Sequence, residues 1–193
     1  MSTHPSVILA SASPRRKVLL EQLGIRFKTL DADIDEQRLR DEIPEKYVER
    51  LAREKALAGW KLAGSYLPAL GADTIVVLDD DILLKPESRS EAECMLGRLS
   101  GRQHHVLSAV ALALDAQTIR SVVQRTEVTF SEIPPAWITA YCAGEEPMDK
   151  AGAYGIQGDA ARWVSHINGS FSGVMGLPLH ETALLLAVIE TPG

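Results

Sequence analysis

No run of apolar residues in this chain approaches the roughly 20 that a membrane-spanning helix requires. The longest, SAVALAL at 108–114 and TALLLAVI at 182–189, are far shorter, so neither a transmembrane helix nor a membrane partner is expected. Cysteine is scarce: Cys94 and Cys142 lack metal-type spacing, and nothing marks an oxidising compartment, so both are expected to be buried free thiols. Positive charge is also in deficit, with 20 Lys and Arg against 26 Asp and Glu and a net charge of -6. That balance argues against nucleic acid as a partner, because such binding rests on a basic surface that releases phosphate counterions. A small phosphorylated ligand remains allowed, since a pocket can be locally basic inside an acidic protein. Repeats, low-complexity tracts and linkers are missing too, and 193 residues at 46% hydrophobic fit one globular domain over 1–193. A secretory signal would place basic residues before its apolar stretch. Here SVILA precedes SPRRK, and the order predicts a cytoplasmic protein.

What is present is a clear alternation of elements. SVILAS reads as a buried strand, and Pro14 to Leu23 as a helix with Arg16, Leu19, Leu20 and Leu23 on one face. Ser13 is placed to cap that helix, Pro14 to open it and Gly24 to follow its end. IRFKTLDADIDE predicts a strand running into an acidic loop, and Pro44 to Leu62 a helix whose apolar face carries Val48, Leu51, Ala52 and Lys55. ALGADTIVVL predicts a strand, DDDILLKP a turn with a short second strand, and SRSEAECMLGRLS a helix. Two long strands joined at Asp115 to Thr118 come next, then helices at Pro134–Ala143 and Pro178–Ile189 separated by a glycine-rich region from Gly152 to Gly176. Early alternation followed by pairing predicts an α/β fold with a long mixed β-sheet flanked by helices.

Several segments carry the parts of an anion site. The helix opening at Pro14 offers unpaired backbone N–H groups, and Arg15 and Arg16 add forked donors, although the two glycines and Lys-Ser/Thr pair of a P-loop are missing. Arg16 and Lys55 both lie on apolar helix stripes, where a cation either snorkels to water or has a ligand. GADT places Asp73 and Thr74 after two small residues. A carboxylate there is either a turn acceptor or a group paired with a cation, a metal or a water. Glu36 in the acidic loop and Lys85 before Pro86 are ambiguous between solvated and functional roles. DKAGAYGIQG surrounds Tyr154 with small residues and ends near Gln157, whose amide can read a base edge; a bulged strand or packed turn would look the same. His166, His180 and the pair His104 and His105 do not form metal spacing and read as surface or structural.

Taken together, LASASPRR, LAREKA, LGADTIVVL, Lys85-Pro86, DKAGAYGIQG and INGSFSGVMGLPL resemble, in this order and over nearly the whole chain, the Maf family of nucleoside triphosphate pyrophosphatases. The resemblance implies a single α/β domain with a deep nucleotide cleft, akin to the inosine triphosphate pyrophosphatases. It also implies a homodimer and a divalent cation, magnesium or manganese. The implied reaction cleaves a nucleoside triphosphate between the α and β phosphates. Matched position by position, Asp73 is the proton acceptor, while Ser11, Arg15, Arg16, Lys55 and Lys85 contact phosphates. Glu36 is a carboxylate tied to activity, and Glu36 and Asp73 are the metal ligands. Arg15, Thr74 and Gln157 resemble the specificity set of the dTTP/UTP branch rather than the 7-methyl-GTP branch. Two other readings accompany this one: a nucleotide-binding regulator of cell division with incidental hydrolysis, and the same chemistry with a different base preference. Leu84 stands where relatives more often carry Gly or an acidic residue, and Phe171 replaces a common Tyr.

Overall fold

The computed structural model describes residues 6–190. Its elements run β1 (Val7–Ala10), α1 (Pro14–Gln22), β2 (Phe27–Leu30), α2 (Pro44–Leu62), β3 (Ala69–Leu78), β4 (Asp81–Leu83), α3 (Arg89–Leu99), β5 (Gln103–Ala113), β6 (Ile119–Phe130), α4 (Pro135–Cys142), β7 (Val164–Asn168), α5 (Phe171–Val174) and α6 (Leu179–Glu190). Three short 3₁₀ turns lie between α4 and β7. The strands hydrogen-bond in the order β2-β1-β3-β5-β6-β7, with β4 on β3. The sheet is mixed as expected: β1 pairs in parallel with β2 and β3, while β3–β4 and β6–β7 are antiparallel. Among the described residues no helix is long and apolar enough to cross a membrane.

The chain forms two compact units, one of Met1–Asp73, Ser108–Gln124 and Gly176–Gly193, the other of Thr74–Leu107 and Arg125–Met175. In the first, β1 is buried at all four positions, which is why it reads as a continuous apolar run rather than an alternating one. Helix α2 begins at Pro44, whose missing N–H costs nothing at a helix start, and it buries Tyr47, Val48, Leu51, Ala52, Ala56 and Gly59. In the second unit, the part of β3 from Thr74 on, β4, α3, α4 and the 3₁₀ turns enclose a core that includes Leu78, Leu96, Leu99, Phe130, Cys142 and Tyr154.

Two expectations change. The region between Gly152 and Gly176 contains strand β7, paired with β6 from Glu127↔Asn168 to Phe130↔Val164, and the short helix α5. Its half-exposed pattern and flanking glycines left no apolar periodicity to read. Cys94 is exposed rather than buried, whereas Cys142 is buried and free as expected. On α3 the buried stripe is Ala92, Met95, Leu96 and Leu99, and Cys94 lies off that face.

Candidate functional site

Asp73 and Gly71 are two residues apart on β3, so they share a face of the strand. A Cβ at position 71 would fall on the backbone O of Ala52 and the backbone N of Ala56, so the strand meets α2 backbone to backbone. That close seating brings Lys55 to the carboxylate: its Nζ lies 2.6 Å from Asp73 Oδ1 and 2.7 Å from Glu36 Oε1. Lys55 and Asp73 side chains are only 11% and 10% exposed, whereas Glu36 is 56% exposed. The Lys55–Asp73 pair is therefore dry and strong, and Glu36 faces the solvent end of the same ammonium.

The start of α1 supplies the cationic side. Ser13 caps the helix by accepting from the Arg16 backbone N–H, and no acidic residue occupies the first turn. Ser11 Oγ accepts from the Ser13 N–H at 3.2 Å and from Arg16 Nη1 at 3.4 Å, while Arg16 Nε donates to the Gly176 carbonyl at 2.9 Å. Burial pushes the Arg16 guanidinium below its usual pKa; the charges of Asp73 and Glu36 pull it back up, and Arg15 pushes it down further. Arginine still keeps its proton. A half-buried cation beside a second cation, at a helix start, is an environment that an anion relieves.

The structure thus gathers Ser11, Arg16, Glu36, Lys55 and Asp73 within the first unit, with Arg15 next to Arg16 on α1 and half-buried. Thr74, Lys85 and Gln157 belong to the second unit. Thr74 follows Asp73 on β3, and strand alternation turns it to the opposite face. Lys85 is exposed just past β4. Gln157 is exposed on a turn closed by the Gly158 N–H donating to the Gly155 carbonyl at 3.1 Å. Under that turn lies Glu146: a Cβ on Gly158 would fall on its carboxylate, and one on Gly155 would come within 2.9 Å of it. Lys150, whose stem also meets Gly155, is held by the Glu146 carbonyl at 2.7 Å and Asp149 at 2.6 Å. Tyr154 is buried and shares a 2.8 Å hydrogen bond with His104 Nε2, which fits the structural role expected of that histidine.

Two contributors escaped the sequence reading. The Gly176 carbonyl that receives Arg16 has no side-chain signature at all. Tyr47, which donates its hydroxyl to the Glu36 carbonyl at 2.8 Å, sits among the buried residues of α2, where nothing in its spacing sets it apart.

Among the described residues no three His, Cys, Asp or Glu side chains come together as a metal cage. The pair Glu36 and Asp73, converging on one ammonium, is nevertheless a hard oxygen donor set. Magnesium is commonly held by one or two carboxylates, with water and substrate phosphates completing its shell, so the pair fits such an ion.

The Maf-like protein family profile matches residues 6–189. The dTTP/UTP pyrophosphatase of Pectobacterium atrosepticum is 55% identical over 174 residues, covering 90% of this chain and 88% of that protein. The dTTP/UTP pyrophosphatase of Escherichia coli strain K12 is 50% identical over 182 residues, covering 94% of this chain and 92% of that protein. Among solved structures, a HAM1 protein from Coxiella burnetii superposes with a TM-score of 0.50 at 14% identity, covering 97% of this chain and 98% of that one, a likeness of fold. With the family profile spanning nearly every described residue and relatives of half identity or more over most of its length, the chain belongs to the Maf-like protein family.

Proposed function

We propose that this protein is a nucleoside triphosphate pyrophosphatase that hydrolyses dTTP and UTP between the α and β phosphates, releasing the monophosphate and pyrophosphate. The observation that carries this reading is the convergence of Asp73 and Glu36 on the buried Lys55 ammonium. The names of the relatives at 50% and 55% identity support the choice of substrate.

In this mechanism Asp73 receives the proton of a water that attacks the α phosphorus. The bond from that phosphorus to the bridging oxygen breaks, and pyrophosphate leaves with its charge met by cations. Lys55 Nζ, 2.6 Å from Asp73 Oδ1, fixes the base against the strand, so the carboxylate needs no reorganisation as the proton moves. Arg16 is oriented by Ser11 and the Gly176 carbonyl, and with Arg15, Ser11 and Lys85 it is assigned to the phosphate oxygens. Glu36 and Asp73 are the residues that would hold a divalent cation, magnesium or manganese, and that ion would neutralise the triphosphate. Arg15, Thr74 and Gln157 are assigned to the base, where an arginine, a hydroxyl and an amide can match the carbonyls and N–H of a pyrimidine.

The test is a panel of nucleoside triphosphates with magnesium or manganese, scored for the first phosphorus product. dTTP and UTP should be cleaved in preference to the others and give pyrophosphate. Orthophosphate as the first product would overturn the site of cleavage, and a preference for purine triphosphates would overturn the base assignment.

A further inference from the structure

The loop that carries Glu36 lies between β2 and α2 and has no strand or helix of its own. A carboxylate on such a segment can serve the site only if something fixes the backbone beneath it. Helix α2 does so with side chains one turn apart. Tyr47, 2% exposed, donates its hydroxyl to the Glu36 carbonyl at 2.8 Å. Arg50, three residues on, donates through Nη2 to the next carbonyl, Gln37, at 2.9 Å. The same guanidinium grips Glu42 with two bonds, 2.7 Å from Nε and 2.9 Å from Nη2, and reaches Glu54 at 3.2 Å. Glu42 in turn accepts the Leu39 N–H at 3.1 Å, and its carbonyl accepts from Arg38 Nε at 2.8 Å. Arg50 also lies 5.6 Å over the Tyr47 ring. Apart from the Glu54 contact, which stays on α2, each of these bonds ends on the Glu36 loop or on Glu42, the residue that closes it.

From this placement we infer that Tyr47 and Arg50 are positioning residues that hold Glu36 against Lys55. The inference rests on the reading of Glu36 as part of the active centre. Because α2 also carries Lys55, one rigid helix sets both ends of the Glu36–Lys55 contact, and neither Tyr47 nor Arg50 has to touch the nucleotide. Tyr47 is the cleaner probe, since removing its hydroxyl leaves the buried ring in place.

The experiment is a double-mutant cycle on turnover, with thermal unfolding of each variant as the control on folding. Tyr47→Phe should lower kcat by about threefold to tenfold, the usual effect of one lost hydrogen bond, with little change in KM. In a Glu36→Gln background the same substitution should change kcat by less than about twofold, because the group it positions is no longer functional. Arg50→Ala should behave in the same way, and Arg50→Lys should restore only part of the loss, since an ammonium cannot grip Glu42 and Gln37 together. Equal kcat losses from Tyr47→Phe with and without Glu36 would overturn the inference, as would an unchanged kcat in Tyr47→Phe. If Glu36→Gln alone leaves turnover intact, the role given to Glu36 fails instead, and the cycle separates the two results.

Discussion

Lys55 and Asp73 in the first unit are charged, nearly buried and set where helix and strand meet backbone to backbone, whereas Gln157 in the second sits on an exposed turn that rests on a side chain. Lys55 and Asp73 meet because Gly71 lets α2 touch β3 directly. Gln157 stands over Glu146, a carboxylate on a flexible stem. The difference matches the work assigned to each. A proton acceptor must be held where charge develops, while a base-reading amide needs only to come within hydrogen-bond reach. The largest effect should therefore fall on Asp73. Asp73→Asn should lower kcat by about a hundredfold or more while nucleotide binding is largely kept. Gln157→Ala should leave kcat for dTTP nearly unchanged and cut the kcat/KM preference for pyrimidine over purine triphosphates by about tenfold, the scale of a lost hydrogen bond or two. Steady-state kinetics on both variants would break the division if Gln157→Ala lost turnover as Asp73→Asn does.

The two supporting glycines sharpen the same contrast in stability. Gly71→Ala would drive a methyl group into the Ala52 carbonyl and the Ala56 amide, atoms that move only if the whole helix moves. It should cost about 1–3 kcal/mol or more, the range for overpacking a filled core, and it should also separate Lys55 from Asp73. Gly158→Ala meets only the Glu146 carboxylate, which can swing aside. That variant should stay within about 1 kcal/mol of the parent, because a flexible side chain absorbs the added methyl. Urea unfolding of the pair decides it, and equal losses would mean that the turn is as rigid as the strand.

These contrasts also explain what could be read from the chain. Ser13, Pro14 and Gly24 announced α1, and Pro44 with Val48, Leu51, Ala52 and Lys55 announced α2, because caps and periodicity are local. Lys55 and Arg16 were visible as cations on apolar stripes, and the structure explains them by partners far along the chain: Asp73 for Lys55 and the Gly176 carbonyl for Arg16. The clasp on Glu36 was hidden for a different reason. Tyr47 satisfies the helix periodicity as a core residue and spends its hydroxyl on a main-chain carbonyl, an acceptor that every residue carries. Strand β7 was missed because half-exposed strands between glycines show neither period clearly, and Cys94 because its residue type is usually buried.

The smallest expected effect separates the units by acid. His104 is buried beside Phe130 and Tyr154 in the second unit, and burial, reinforced by His105, lowers its pKa from 6.5 to about 3. The unfolded chain therefore takes up a proton below pH 6.5 that folded His104 refuses, so stability drains from the second unit as pH falls from 6.5 towards 3. In the first unit the bonds from Arg50 hold Glu42 below its usual 4.5. That stabilisation is complete above pH 4.5 and is lost only as pH falls through the lowered value. Between the two onsets, at about pH 5.5, amide exchange corrected for intrinsic rate should quicken around residues 103–107 of β5 and the Tyr154 segment while the Glu36 loop and α2 keep their pH 7 protection. His104→Phe should flatten the first response and leave the second in place. Loosening of α2 at the higher pH, ahead of the His104 core, would reverse the order and place the acid-sensitive element of the fold in the first unit.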